Sequence, residues 1–363
     1  MQRHIVGNVT LPWRLGQNMY HHTPIYTGFD SFDGRGHFDG TVSFGSGNDS
    51  FYEYLLKAHI IMPQDSPHLY VELYRRLAMQ LNYEYDQLVD DPAADAGESR
   101  GAGESPRELG ESLASSPPAL LAHLLARFPG DEYAGPKLLF AHQGRLFLSS
   151  LPGGHYHEQL ACFLPGVMLL GAMMLPDRAM SRDREIAEKL LDGCLWTYRE
   201  PLLSSNGLGA DFNELQDEQE GEEEVHLQNL PEPPPRRPPC RGDCGYLLRP
   251  ETVESVFVAW RTTRNPKWRE AAWDIFTALK RLQVGSGGFH GIADVTMRVN
   301  ASENVNVVDE QPSFFIAETL KYLFLTFDDP ERLSLNDWVF STECHPFSLS
   351  KSRDPRPARS CDG

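Results

Sequence analysis

No uninterrupted apolar run in this 363-residue chain approaches the ~20 residues that a membrane-spanning helix requires. The opening Met1-Gln-Arg-His-Ile-Val-Gly7 likewise lacks the apolar core of a signal peptide. Positive charge is the scarce sign: 33 Lys and Arg stand against 51 Asp and Glu, a formal net charge of −18. With no basic stripe to neutralise phosphates, nucleic acid is a poor partner and a neutral sugar polymer fits at least as well. Dedicated metal patterns are missing too. Cys240-Arg-Gly-Asp-Cys244 is isolated in a proline-rich tract without further ligands. Asp30-Ser-Phe-Asp-Gly-Arg-Gly-His-Phe-Asp-Gly40 lacks the alternating acids and closing glutamate of an EF-hand, and reads as a loop.

What is present suits one large or two ordinary domains, with helices dominant and strands a minority. Residues 1–45 read as loops and short strands. Ser50-Phe-Tyr-Glu53 has the form of a capping box opening a helix to about Ile61, and a second helix spans His68 to Glu84. Residues 90–118, rich in Ala, Gly, Ser, Pro and acids, read as a mobile insertion, followed by a short helix over Leu120 to Phe128. A small hairpin is expected over residues 137–148, then a helix from Cys162 and another over Arg182 to Arg199. An acidic run and Pro-Glu-Pro-Pro-Pro-Arg-Arg-Pro-Pro239 make residues 213–243 a second disordered insertion. Helices follow at 251–263, 266–282 and 313–327, with a short one near 334–340 and a loose tail from about Ser348. Asn8-Val-Thr and Asn300-Ala-Ser are glycosylation sequons, a pattern that recurs often by chance.

The most informative stretch is Tyr246-Leu-Leu-Arg-Pro-Glu-Thr-Val-Glu-Ser-Val-Phe-Val-Ala-Trp260. Val253, Val256, Phe257 and Trp260 recur at helical spacing, so one face packs into a core. Pro250 suits a first turn, where a backbone donor is unpaired anyway. Glu251 and Glu254 lie three apart at the same helix end, where acids complement the macrodipole.

This block resembles the Leu-Arg-Pro-Glu-x-x-Glu-Ser motif of glycoside hydrolase family 47, the class I α-1,2-mannosidases. Four further motifs follow the family's order: Gly47-Asn-Asp-Ser-Phe-Tyr-Glu-Tyr-Leu-Leu-Lys57, Cys162-Phe-Leu-Pro-Gly166, Ser313-Phe-Phe-Ile-Ala-Glu-Thr-Leu-Lys-Tyr322 and Ser341-Thr-Glu-Cys-His-Pro346. The resemblance runs from about residue 40 to 347. It implies an all-α fold, the C-terminal part of an (α/α)7 barrel, with residues 1–347 a partial catalytic domain and 348–363 a tail. The family's N-terminal helices, including an acid-bearing segment, have no counterpart before Asp49, so the resemblance implies a chain truncated at its N-terminus.

The implied activity is calcium-dependent, inverting removal of terminal α-1,2-mannose from high-mannose N-glycans on glycoproteins in the endoplasmic reticulum or Golgi. Membrane attachment would come only through a missing N-terminal anchor. Inversion needs one carboxyl to protonate the leaving oxygen and another to activate water on the opposite face. By resemblance, Glu251 is the base, and Asp49 is a further active-site carboxylate. Asp211, in Gly207-Leu-Gly-Ala-Asp211, stands for a family glutamate one methylene longer. Arg249, Glu254, Phe314 and Glu318 match residues that line the sugar pocket. Thr342 matches the threonine that holds Ca2+ through its hydroxyl and carbonyl, with Glu343 beside it. Cys162 and Cys194 match a family disulfide, a bond of the secretory lumen. Three positions depart from the pattern: Gln159 replaces a histidine, Gln311-Pro312 replaces Met-Glu, and Gly47 stands where some members place an arginine. The alternative is a glycan-binding relative of the mannosidase-like degradation factors, without efficient turnover.

Overall fold

A computed structural model describes residues 44–45, 49–62, 69–90, 137–150, 154–175, 182–200, 203–215, 244–285, 287–300, 303 and 305–349. The expected helix over 120–128 and most of both expected insertions lie outside these residues. The described helices are α1 (Asp49–Ile61), α2 (Leu69–Asp90), α3 (Phe163–Met174), α4 (Asp183–Arg199), α5 (Glu251–Thr263), α6 (Pro266–Leu279) and α7 (Leu320–Phe327). Five two-stranded antiparallel pairs lie between or after them: β1 (Leu139–His142) with β2 (Arg145–Leu148), β3 (Tyr156–Glu158) with β4 (Phe212–Glu214), β5 (Gln283–Val284) with β6 (Gly288–Phe289), β7 (Gly291–Ile292) with β8 (Val307–Val308), and β9 (Trp338–Phe340) with β10 (Pro346–Ser348).

Helix α3 explains the layout. Every side chain from Phe163 to Gly171 is buried, so this helix has no solvent face and must be wrapped on all sides. Helices α1, α4 and α5 pack around it. Helix α5 contributes Val253, Val256 and Phe257, all fully buried at the helical spacing expected from the sequence, while Trp260 is half-buried against the same core. Each large side chain buried this way stabilises the fold by about 1.5–3 kcal/mol. Close approach of α3 and α5 depends on Gly166, where an added Cβ would lie 2.9 Å from Ser255 Oγ and 3.0 Å from Ser255 Cα. Ser255 exploits that approach: its Oγ accepts from Gly166 N at 2.8 Å and donates toward the Cys162 carbonyl. The Cys162–Cys194 disulfide then ties the turn before α3 to α4, with Cα atoms 6.1 Å apart.

Several boundaries differ from the sequence reading, each for a local reason. Helix α1 begins at Asp49, not after a Ser50 cap, and the Glu53 side chain, which a capping box would turn back to Ser50, pairs with Lys57. Helix α2 continues past Glu84 to Asp90, carrying Tyr85 into a buried position and Leu88 against the core. Residues 213–215 belong to the fold: Asn213 and Glu214 are in β4, and Leu215 is buried and bonds through its N–H to the His155 carbonyl at 2.8 Å. The short helix expected near 334–340 is replaced by a turn and strand β9, in which buried Val339 faces Phe347 of β10. Ser348 pairs in that ladder and Leu349 is buried, its N–H on the Asp337 carbonyl at 2.8 Å, so these two are not tail residues. Finally, the helix over 313–327 opens with a π-helical turn, Phe315–Thr319. π-Turns of this kind often mark functional positions.

Candidate active site

The site gathers around the N-terminal end of α5. Just before it, Leu248 adopts a left-handed backbone with φ 63° although its side chain is fully buried. That conformation is costly for a branched residue and persists only where its surroundings hold it. Thr319 Oγ1 donates to the Leu248 carbonyl at 2.7 Å, tying the turn to the π-helical segment. The turn presents Arg249, after which Pro250 leads into Glu251, the first residue of α5.

Two clusters of side chains flank this helix end. On one side, Arg249 Nε lies 3.3 Å from Asp211 Oδ2. Glu251 and Asp211 both bear electrostatically on the Tyr198 and Tyr246 hydroxyls, which are buried and held above the ordinary phenol range, mainly by burial. Tyr198 also accepts a hydrogen bond from the Gln159 side chain and interacts with Thr252. Gly209 makes room for this ring: a Cβ there would sit 2.6 Å from Tyr198 Cε2. Asp211 is positioned by backbone on both sides, with its N–H on the Gly245 carbonyl at 2.7 Å and its carbonyl accepting from Gln159 N at 2.9 Å.

On the other side, Lys57 reaches from α1 to bond Glu53 and, at 3.0 Å, Glu254 of α5. All three are buried. Burial alone would lower the Lys57 ammonium, but Glu254 and Glu53 outweigh it and the net direction is upward. Burial raises Glu254 to about 7; Lys57 opposes that rise and Glu53 adds to it, with Tyr322 interacting beside it. Glu318, also buried, is raised to about 8 by burial first and then by Glu254, Glu343 and Glu53, while Lys321 opposes. Free Cys344 is buried against Tyr322 and its thiol is pushed up to about 12, chiefly by burial.

The residues singled out by sequence therefore divide. Arg249, Glu251 and Asp211 meet in one cluster, and Glu254, Glu318 and Glu343 meet in the other. Asp49 starts α1, one helical turn before Glu53. Phe314 is half-buried at the opening of the π-turn, and Thr342 is half-buried beside exposed Glu343. Thr342 donates its N–H to the Tyr54 hydroxyl at 3.3 Å. Glu53, Lys57, Tyr198, Tyr246 and Tyr322 were not singled out by sequence, although Glu53, Lys57, Tyr246 and Tyr322 stand inside motifs that were. His157, Cys162 and Cys194 also converge, but the two sulfurs are bonded to each other and are not available to a metal. Cys244 is disulfide-bonded as well.

The family model "Glycosyl hydrolase family 47" matches residues 13–111 and 137–349. The chain belongs to glycosyl hydrolase family 47. Within the family it is similar to human mannosyl-oligosaccharide 1,2-alpha-mannosidase IC, 36% identical over 215 residues, covering 58% of this chain and 30% of the relative. It is also similar to the human endoplasmic reticulum mannosyl-oligosaccharide 1,2-alpha-mannosidase, 35% identical over 210 residues, covering 56% and 27%. The mouse mannosidase IB aligns over 311 residues at 27% identity, covering 85% and 37%. The chain thus spans about a third of the length of the curated relatives it matches. The alpha-1,2-mannosidase from Trichoderma reesei shares its fold, with a TM-score of 0.58 at 23% identity, over 87% of this chain and 54% of that one. The helical fold expected from the motifs, part of an α/α barrel, is therefore the one the family 47 chain adopts. No helix among the described residues is long and apolar enough to cross a membrane.

Proposed function

We propose that this family 47 chain hydrolyses terminal α-1,2-linked mannose from high-mannose N-glycans, with inversion, in the secretory pathway. The observation that carries the reading is the convergence of Glu251, Asp211 and Arg249 on one flank of the α5 N-terminus with Glu254 and Glu318 on the other. Inverting hydrolysis needs carboxyls set apart, with room for a water between one of them and the sugar. Glu251 is the base that takes the proton from that water. It stands at the first turn of α5, where the helix N-terminus carries partial positive charge. Asp211 and Asp49 supply further carboxylates. Arg249, fixed against Asp211, offers remaining N–H donors to sugar hydroxyls, and half-buried Phe314 offers an apolar face to the ring. The named relatives are mannosyl-oligosaccharide α-1,2-mannosidases, which supports this substrate class.

The residues fit a calcium ion. Glu254 and Glu318 are both raised, first by burial and then by neighbouring carboxylates, with Glu53 and Glu343 among those neighbours and Lys57 and Lys321 as opposing cations, so negative charge is concentrated on this flank. Among the described residues, the Thr342 hydroxyl and carbonyl oxygens receive no protein donor, leaving hard oxygen ligands of the kind calcium prefers. Thr342 would hold the ion, and Glu343 and Glu318 would order the surrounding waters. When bound, the ion would supply positive charge that orients sugar hydroxyls.

Glu251→Gln tests the reading. Mannose release from a high-mannose glycan should fall to background while calorimetric glycan binding persists. A wild-type chain that binds the glycan without releasing mannose would instead support the binding-protein alternative.

A further inference from the structure

Lys57 is the buried cation of the site, and its position relates to both helices that carry proposed carboxylates. Asp49 is the first residue of α1 and Glu251 the first of α5. Lys57 lies two turns below Asp49, and its partner Glu254 lies one turn below Glu251. Nζ bonds Glu53 on its own helix and Glu254 across the gap at 3.0 Å, joining residues 197 apart in sequence. Lys57 is 3% exposed, and Glu53 and Glu254 are 1% and 5% exposed. A cation this buried is held against its hydrogen-bond acceptors in one geometry, because any departure leaves its charge unpaired in low dielectric. Tyr54, next to Glu53, carries the same helix to the far side of the site by accepting from Thr342 N.

We infer that Lys57 is a positioning residue: its bridge between Glu53 and Glu254 fixes the separation of the α1 and α5 N-termini, and with it the spacing of Asp49 from Glu251. The identity of those carboxylates rests on the proposed function; the bridge itself does not. Without the bridge, α1 and α5 meet mainly through their shared neighbour α3. Their N-terminal ends can then drift, and misplacing reacting groups by about 1 Å is enough to cost about 100-fold in rate.

The test uses the full chain, with Lys57→Met to remove the charge at similar length and Lys57→Arg to restore it. kcat in Lys57→Met should fall about 100-fold with KM little changed, and Lys57→Arg should recover most of the loss. A second measurement does not depend on activity. Spin labels at Asp49→Cys and Glu251→Cys, in a background where Cys344 and every other cysteine outside a disulfide are replaced by Ser, report the distance distribution by dipolar electron paramagnetic resonance. The distribution should shift or broaden on adding Lys57→Met and return to the wild-type form with Lys57→Arg. An unchanged distribution overturns the inference. So does a fall in kcat that follows only the folded fraction measured in the same samples, without rescue by arginine. If the wild-type chain releases no mannose but the distribution responds as described, the proposed function fails and the bridge stands. Should Lys57→Met not fold, the charge-balanced Glu53→Gln/Lys57→Met variant takes its place, with the same change expected.

Discussion

The two flanks of the α5 N-terminus handle charge in different ways. On the Glu254 flank, three ionisable groups are sealed together, with the cation inside and two carboxylates on it. On the Glu251 flank, the cation Arg249 is at the edge, its side chain 26% exposed against 8% for Asp211, and the buried partners are the neutral Tyr198 and Tyr246. A sealed ion pair is costly to break and geometrically rigid, whereas an edge pair can exchange its partner for an incoming ligand at little cost. The first flank is thus built as a frame and the second as a contact surface. Glu251 and Glu254 are only three residues apart on one helix, and what distinguishes them is what packs around each: Tyr198 and Tyr246 near Glu251, Lys57 and Glu53 against Glu254.

The sharpest way to break this comparison is Glu251→Gln. Mannose release should drop by about 10²–10⁴-fold, the contribution of a general base. Thermal stability should stay within a degree or two of wild type, since no sealed ion pair is touched. Next comes the contrast between Lys57→Met and Arg249→Met in chemical denaturation. The first strands two buried carboxylates and should cost about 3–5 kcal/mol; the second breaks an edge pair and should cost about 1 kcal/mol or less. Equal losses would erase the distinction between frame and contact surface. Gly209→Ala is a smaller probe confined to the Glu251 flank. Its Cβ would meet the Tyr198 ring at 2.6 Å. The crowding should cost about 1–3 kcal/mol and lower mannose release, while the Asp49–Glu251 label distance stays narrow.

The pH response gives the smallest effect but a defined sign. Folding raises Glu254 from 4.5 to about 7, so the folded chain keeps this proton where the unfolded chain has lost it. Its contribution is complete below the unfolded value and is lost as pH rises through about 7. His157, buried against the disulfide, is lowered from 6.5 to about 4, mainly by burial. Its contribution is complete above 6.5 and is lost as pH falls through about 4. Denaturation midpoints measured from about pH 4 to about pH 8 should show Glu254→Gln flattening the neutral-side decline and His157→Gln the acid-side decline. Each change should leave the other limb in place.

Much of this was legible in the sequence. The periodicity of Val253, Val256 and Phe257 marked the buried face of α5, and one motif set Arg249 beside Glu251; Asp211 lay outside the five motifs, and its nearness to Arg249 comes from the fold. Lys57 and Glu53 were harder to read. A Ser-x-x-Glu pattern and a Glu four residues before a Lys are both ordinary helix-surface features, and only the partner on α5, 197 positions away, makes them a buried bridge. The π-turn at Phe315–Thr319 has apolar spacing close to that of an α-helix, so its wider ring left no periodic signal. Strand β9 was missed because Trp338-Val-Phe340 is too short for alternation to declare itself, and its identity comes from pairing with β10.

The most direct test of the central claim is the anomeric configuration of the product. An α-1,2-linked mannobiose is incubated with the wild-type chain in the presence of calcium and followed by proton NMR from the first minutes. Inverting hydrolysis by Glu251-activated water predicts that β-mannose appears first and mutarotates afterwards, and that the Glu251→Gln chain yields neither anomer. Initial α-mannose, or equal release by both chains, would contradict it.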